Sequence, residues 1–324
     1  MDSRGRLFYN THEEIKAERF MLEEPVPFCA QVARESEEPL FGTATRVKVW
    51  LLLEYRKAWR RKATADNDLP AAVQEHLAAQ LTAIPGSRLL FIKQQSTGPK
   101  ERRFFVVRTD EAAPALHELA FSRYKELMDL DVTAVVDGDE AFIPYERREP
   151  LFLVCTNGRR DRCCAKFGSP LFKVLRHSRP ENSWQSTHIG GHRYAPNVLF
   201  LPQSVNYGWL TPEEIDQAVD AHVQGQIYDL AHYRGRTYYD PPVQAADYFL
   251  RRELNLLDVN GLRLKTAEGG ADDVWLVKFF VPVLNDTHEI RLRSETTGEP
   301  RLVSCGTPAM KPEVRYQFLG HRII

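Results

Sequence analysis

The sequence contains no apolar run long enough to span a bilayer, and its N-terminal residues lack the apolar stretch of a secretory signal. It also lacks an excess of charge of either sign, because the formal net charge is -1 and the pI is about 6.8. A balanced charge argues against a general nucleic-acid-binding surface. We find no Ser-His-Asp set, phosphate-binding loop or dinucleotide fingerprint. We therefore expect a cytoplasmic protein that binds neither nucleic acid nor membrane.

Cysteine is scarce in this chain of 324 residues. The five cysteines are Cys29, Cys155, Cys163, Cys164 and Cys305. An odd number in a chain without a secretory signal does not indicate a disulfide framework, and the cytosol keeps thiols reduced. Three of the five lie within ten residues of one another, which makes that segment the candidate site. We interpret Cys29 and Cys305 as small packed side chains and favour packing for Cys163.

The order of apolar runs predicts an α/β protein with two similar mixed-sheet units in tandem. "RVKVWLLLEY", "RLLFIKQ" and "RRFFVVR" are the strand-like runs of the first unit, and "PLFLVCT", "SWQST" and "NVLFLP" those of the second. Each unit reads strand, helix, strand, strand, then a weaker strand and a helix. The predicted segments are an N-terminal extension (1–43), the first unit (44–148), the second unit (149–240) and a small C-terminal α+β appendage (241–324).

Several helix boundaries follow from local signals. Asp68 is a candidate cap for a helix that ends at Pro85-Gly86, and a short helix is expected near residues 124–130. Ser169 followed by Pro170 predicts a helix start in the second unit. Thr211, Pro212 and Glu214 form a capping-box pattern, which predicts a helix ending near Gly225. Asp240-Pro241-Pro242 predicts a helix at the start of the appendage.

The chemistry-bearing residues lie in the second unit, in "CTNGRRDRCCAKFG" and "THIGGH". Cys155 ends a predicted buried strand, and His188 follows the next strand. Because loops after parallel strands emerge at the same edge of a sheet, we expect these thiols and imidazoles to meet there. Two adjacent glycines between His188 and His192 argue against a helix and favour a tight loop. Two cysteines and two histidines therefore predict a metal or redox site.

Spacing alone leaves three kinds of site open. A structural Cys2His2 zinc site usually has a short C-x2–4-C spacing, whereas eight residues separate Cys155 from Cys164. A thioredoxin-like thiol oxidoreductase would use Cys155 with Cys163 or Cys164, but the usual C-x-x-C signature is absent. A [2Fe–2S] cluster needs four ligands over two irons and tolerates wider spacing, and two histidines can replace two cysteines in such a cluster.

The segments "CTNGRRDRCCAKFG", "WQSTHIGGHRYAPNVLFLP" and "YGWL" resemble the sucrase/ferredoxin-like family, and "PLFGTATRVKVWLLLE" is similar to its first half. The resemblance covers roughly residues 25–225. It implies two thioredoxin-like units and a [2Fe–2S] cluster in the second, with Cys155, Cys164, His188 and His192 as the cofactor-binding residues. It implies no glycosidase activity. The first unit has Glu54-Tyr55 at the place of Cys155.

The resemblance implies a one-electron transfer protein without an evident substrate of its own. Because a histidine ligand keeps a second nitrogen that can hold a proton, we expect the reduction potential to fall as the pH rises. A protein redox partner with an acidic surface is expected to dock near Arg159, Arg160 and Arg193. The electron donor and acceptor, the pathway and the oligomeric state cannot be predicted from the sequence.

Overall fold

The computed structural model describes residues 27–298, 300–305 and 310–324. Residues 1–26 of the predicted N-terminal extension lie outside the described residues. The described helices are α1 (Cys29–Glu35), α2 (Ala71–Ala83), α3 (Val132–Asp137), α4 (Arg162–Ser178), α5 (Ile215–Val223) and α6 (Pro241–Leu254). Short 3-10 helices cover Tyr124–Asp129, Glu140–Tyr145, His192–Tyr194 and Ala271–Asp273. In the part of the chain that the structure describes, no helix is both long and apolar enough to cross a membrane.

A mixed sheet of nine strands forms the centre of this α/β fold. Its strands are β1 (Val49–Glu54), β2 (Ser87–Lys93), β3 (Arg102–Arg108), β4 (Ala115–Phe121), β5 (Leu151–Cys155), β6 (Ser183–Ser186), β7 (Asn197–Leu201), β8 (Val205–Gly208) and β9 (Tyr233–Arg236). They are arranged in the order β4-β3-β1-β2-β6-β5-β7-β8-β9. Both β1 and β5 are buried along their whole length, as expected for strands covered on two faces.

The two halves of this sheet have the same pairing pattern. In the first half β1 is parallel to β2 and antiparallel to β3, which is antiparallel to β4. In the second half β5 is parallel to β6 and antiparallel to β7, which is antiparallel to β8. An antiparallel pair between β2 and β6 joins the halves into one sheet. The sequence patterns predicted a separate sheet for each unit. They could not predict the joined sheet, because the two-residue pairing links strands almost a hundred residues apart and has no local signature.

A second sheet lies in the C-terminal segment. It is antiparallel, with the order β10 (Arg263–Gly269), β11 (Val274–Val281), β12 (Asp286–Thr296) and β15 (Val314–Ile323), while β13 (Arg301–Leu302) pairs with β14 (Met310–Lys311). Helix α6 packs against β11 and β12. Phe249 and Leu250 of the helix share an apolar cluster with Phe279 of β11 and Ile290 of β12. The run "RLVSC" was predicted as a further strand, but only two of its residues are extended, and β15 completes the larger sheet instead.

Two predicted helix starts were wrong. Helix α4 begins at Arg162 rather than at Ser169, because Asp161 caps it by accepting a hydrogen bond from the Cys163 amide at 3.0 Å, and Pro170 lies within the helix. Helix α2 begins after Pro70 without a side-chain cap, so Asp68 does not cap it. The short helix expected near residues 124–130 is present as a 3-10 helix, Tyr124–Asp129, and α3 follows it.

The predicted capping box before α5 is present in part. The Glu214 carboxylate accepts a hydrogen bond from the Thr211 amide at 2.8 Å, but the regular helix begins one turn later, at Ile215. Gly225, with a φ of +77°, follows its C-terminal end as predicted.

Candidate metal centre

The loops after β5 and β6 meet at one edge of the central sheet. These two strands are parallel, so the chain leaves both at the same side. One sulfur each from Cys155 and Cys164 and one ring nitrogen from His188 lie within 4.8 Å of one another. The Cys164 Sγ is 3.9 Å from the His188 Nδ1. Three of the four predicted ligands therefore converge on one point.

Burial gives the site an inner and an outer side. The side chains of Cys155 and Cys164 are inaccessible to solvent, whereas His188 and His192 are partly accessible. The two thiols share a hydrogen bond, which lowers the pKa of Cys155 well below its usual value, and the same bond raises the pKa of Cys164. The thiols thus form the deep side of the site, and the imidazoles face its outer side.

His192 lies next to these three residues, but it does not belong to the group whose ligand atoms all lie within 4.8 Å of one another. Its ring centroid is 5.0 Å from that of His188. Both of its nitrogens are buried without a hydrogen bond of regular geometry among the described residues, although the Nε2 is 3.5 Å from a carboxylate oxygen of Asp161. Burial lowers the pKa of His192, and the Asp161 carboxylate opposes that shift. An imidazole whose nitrogens are buried and lack regular hydrogen bonds is suited to ligation.

Every backbone carbonyl from His188 to Gly191 accepts a side-chain hydrogen bond. Arg88 on β2 donates to the His188 oxygen at 2.6 Å and to the Ile189 oxygen at 2.7 Å. The Arg234 guanidinium donates to the Gly190 oxygen at 3.2 Å and the Asn197 amide to the Gly191 oxygen at 2.9 Å. The hydrogen bonds from Arg88 and Arg234 were not predicted from the sequence. Arg88 stands at the start of the apolar run of β2, which is its one local signal, whereas β9, with the sequence YRGR, has no apolar run that would mark Arg234.

The two glycines of the loop are required by conformation and by space. Gly190 and Gly191 have φ angles of +133° and +66°, which side chains rarely adopt. A Cβ on Gly190 would lie 1.9 Å from the Thr45 Oγ1, and one on Gly191 would lie 2.4 Å from the Arg234 Nη2. The glycine pair therefore lets the loop lie directly against the residues that hold it.

A third glycine sets the approach of α4 to β5. A Cβ on Gly168 would lie 2.2 Å from the Cys155 carbonyl oxygen. The absence of a side chain lets the helix pack closely over the end of the strand, and this helix carries Cys164. The neighbouring Cys163 points elsewhere, into a group with Cys29, Cys305 and Asp161 that sequence reasoning did not find.

The predicted docking residues differ in their availability. Arg159 is exposed and Arg160 is half-buried. The Arg193 side chain is 16% exposed, its Nε is 3.2 Å from a Glu38 carboxylate oxygen, and it donates to the Tyr194 hydroxyl. Arg193 is thus engaged inside the protein.

Family membership is shown by comparison with known proteins. The model of the Sucrase/ferredoxin-like family matches residues 40–235, which is more than half of the chain. The chain therefore belongs to the sucrase/ferredoxin-like family, as the sequence motifs indicated.

Two fungal relatives match shorter segments. The protein named Altered inheritance of mitochondria protein 32 from Meyerozyma guilliermondii is 32% identical over 109 residues, covering 30% of this chain and 39% of that protein. The protein of the same name from Debaryomyces hansenii is 34% identical over 95 residues, covering 26% and 35%. The matched regions thus span less than half the length of these curated relatives.

One solved structure also matches. A crystal structure of a variant of the thioredoxin-like [2Fe–2S] ferredoxin from Aquifex aeolicus matches with 20% identity and a TM-score of 0.21, covering 24% of this chain and 89% of that one.

The donor set suits a group larger than a single ion. A mononuclear zinc site needs four donors around one point, but three of the predicted donors meet there and His192 lies to one side. A two-iron cluster divides its four ligands between two metals, which matches two thiols on the deep side and two imidazoles on the outer side. The residues present therefore fit a [2Fe–2S] cluster.

Proposed function

We propose that this protein is a one-electron carrier that holds a [2Fe–2S] cluster through Cys155, Cys164, His188 and His192. The observation that carries the proposal is the convergence of two buried thiols and one imidazole beside a second imidazole without regular hydrogen-bond partners. When bound, such a cluster supplies a single redox couple. Membership of the sucrase/ferredoxin-like family supports this assignment.

The residues around the site would keep its ligands in place. Arg88, Arg234 and Asn197 hold the carbonyls of the histidine loop, so the imidazoles are oriented before any ligand binds. The buried thiols exclude water from the deep side. The partly exposed histidines would be the side at which a redox partner approaches.

The fold proposal extends the central sheet described above. The repeated pairing pattern of β1 to β4 and β5 to β8 supports two thioredoxin-like units in tandem, with the C-terminal sheet and α6 as an α+β appendage. The unit boundaries at residues 44–148, 149–240 and 241–324 remain predictions. The first unit has Glu54 at the end of β1, where the second has Cys155, so we propose that it holds no cluster.

The proposed partner is a protein with an acidic docking surface. Arg159 and Arg160 lie in the loop between Cys155 and Cys164 and would attract such a surface through long-range electrostatics. Arg193 drops out of this proposal because Glu38 pairs with it. The cytoplasm remains the predicted compartment, since reduced cysteines suit it.

Two rival functions are less well supported. A thiol oxidoreductase needs an accessible thiolate, whereas Cys155 and Cys164 are fully buried, and Cys163 does not face Cys155. A structural zinc site would leave His192 without a role. Neither rival explains a loop held at four successive carbonyls around the two histidines.

The visible absorption spectrum of protein purified without air tests the proposal. We expect a red-brown solution whose bands bleach with dithionite, with about two irons per chain. Cys155→Ser and Cys164→Ser should lose the colour, whereas His188→Cys with His192→Cys should retain a cluster because thiolates are also its ligands. His177→Gln, at an exposed position on α4, is the control and should keep the colour. Colourless protein from iron-supplied cells would refute the cluster.

A further inference from the structure

Three cysteines from distant parts of the chain meet beside the candidate cluster site. Cys29 begins α1, Cys163 lies in the first turn of α4, and Cys305 lies in the C-terminal segment. The Sγ of Cys163 is 3.5 Å from that of Cys29 and 3.1 Å from that of Cys305, and the remaining pair is 3.5 Å apart. These three thiols form a closed triangle of sulfurs.

A buried carboxylate adds a fourth donor. One oxygen of Asp161 lies 3.8 Å from the Cys29 Sγ, and all four donors lie within 4.8 Å of one another. The carboxylate is held by the Cys163 amide at 3.0 Å and by the Cys305 amide at 2.9 Å. Asp161 therefore faces the thiols in a fixed orientation.

We propose that Cys29, Cys163, Cys305 and Asp161 bind one zinc ion. A tetrahedral zinc with Zn–S bonds of about 2.3 Å places its sulfurs about 3.8 Å apart, so two edges of the triangle need to open by about 0.3 Å and the third by about 0.7 Å. Binding releases the three thiol protons to solvent, while Asp161 is already ionised. Three thiolates and one carboxylate close the coordination shell, as in structural zinc sites.

Backbone amides point at two of the three sulfurs. The Cys29 amide donates to the Cys305 sulfur at 3.2 Å, and the Ala30 amide donates to the Cys163 sulfur at 3.4 Å. Cysteines that pack as small hydrophobes do not require amide donors. A disulfide between Cys163 and Cys305 would leave the Cys29 thiol facing Asp161 without a role.

The ion would join three segments around the proposed cluster. Cys163 directly precedes Cys164, and Ser304, next to Cys305, donates to Asp161 at 2.9 Å. The backbone of Val303, two residues before Cys305, lies close enough to His192 to raise the pKa of its imidazole. Zinc would thus fasten α1 and the C-terminal segment over the histidine side of the site. This consequence depends on the proposed function, whereas the zinc site itself does not.

Metal analysis of paired variants separates the two sites. Wild-type protein from cells supplied with both metals, purified without chelators, should contain about one zinc besides the iron. Cys29→Ser with Cys305→Ser should lose the zinc and retain iron, whereas Cys155→Ser with Cys164→Ser should lose the iron and retain zinc. His177→Gln, at an exposed position on α4 away from both sites, is the control and should keep both metals. Cys305→His, which restores a donor, should recover the zinc that Cys305→Ser loses.

Measurements on wild-type protein keep the proposal testable if a variant does not fold. X-ray absorption at the zinc edge should show three sulfurs at about 2.3 Å and one oxygen. Wild-type protein with less than about 0.1 zinc per chain, a Cys163–Cys305 disulfide found by mass spectrometry, or zinc that disappears with Cys155 and Cys164 would each overturn the assignment. Failure of the iron cluster alone would leave the zinc result unchanged.

Discussion

Arg88 on β2 holds the backbone of His188, because its Nη2 donates to the His188 carbonyl oxygen at 2.6 Å. The same guanidinium also donates to the Ile189 oxygen. Arg88 belongs to the first half of the sheet, which has no group of three metal donors among its described residues. The first half therefore contributes to the candidate centre by fixing the loop that carries both histidines.

Replacing Arg88 should loosen this loop. Arg88→Met removes two hydrogen bonds from a charged donor, each of which contributes about 1.5–3 kcal/mol. We expect the free energy of unfolding to fall by about 3 kcal/mol and the cluster absorbance to decay faster in air. Denaturant unfolding and the decay of the visible spectrum measure the two effects.

Arg176→Met is the matched control. This exposed arginine on α4 also makes two hydrogen bonds, to the Gln94 carbonyl and the Gln95 side chain, but away from the histidine loop. It should leave the cluster decay unchanged. Equal decay rates for the two variants would show that Arg88 does not act through the loop.

Strands with uniform apolar character were predictable, and two largely exposed strands of the C-terminal segment were not. The "VWLLLE" of β1 is buried at all six positions, so its apolar run predicted it directly. By contrast, β10 is exposed at nearly every residue, and β15 is only partly buried. Their extended conformation comes from pairing with β11 and β12, a tertiary effect without a local pattern.

The candidate centre was predictable where its residues are close in sequence. Cys155 with Cys164 and His188 with His192 lie in short motifs after two neighbouring strands. Cys29 and Cys305 were interpreted as packed side chains, and they lie 134 and 142 positions from Cys163 in the sequence, so no local motif links the three. The packing of α1 and of the segment around Cys305 against α4 brings those three sulfurs together.

The glycine pair of the histidine loop provides a second prediction, on cluster binding. Gly191→Ala puts a Cβ 2.4 Å from the Arg234 Nη2 at a φ of +66°. Because the guanidinium must move and release the Gly190 carbonyl, we expect most of the iron to be lost. Gly225→Ala is the control, since Gly225 has a similar φ of +77° but no atom within 4 Å of its Cβ.

Gly225→Ala should cost about 1 kcal/mol of stability through backbone strain and leave the iron content unchanged. Iron measured per chain and the denaturation midpoint distinguish the two variants. If both lose the same amount of iron, strain rather than contact with Arg234 controls the site.

His222 on α5 should make the fold sensitive to acid. Burial and the Arg236 charge lower its pKa from 6.5 to about 4. The unfolded chain therefore binds a proton below pH 6.5 that the folded chain refuses until about pH 4, so stability is lost as the pH falls through this window. Between pH 7 and pH 5 this single group should cost about 2 kcal/mol.

His222→Gln should remove that share of the pH dependence, as measured by urea unfolding at both pH values. The variant also loses packing against Phe152 and Phe200, so only the difference between its two stabilities is informative. His177→Gln, at an exposed site on α4, should retain the wild-type dependence. An unchanged slope in His222→Gln would assign the acid sensitivity to other groups.

The last prediction concerns the reduction potential of the proposed cluster. If His188 and His192 are ligands, each keeps a second nitrogen, and loss of its proton stabilises the oxidised form. The potential should then fall by about 59 mV per pH unit wherever one proton accompanies one electron. His188→Cys with His192→Cys should lower the potential, as thiolate-only clusters are more reducing, and should abolish the slope. Redox titration of both proteins from neutral to alkaline pH measures this. A wild-type potential that does not change with pH would remove the histidines from the proton chemistry, and a slope that persists in the cysteine variant would assign it to another group.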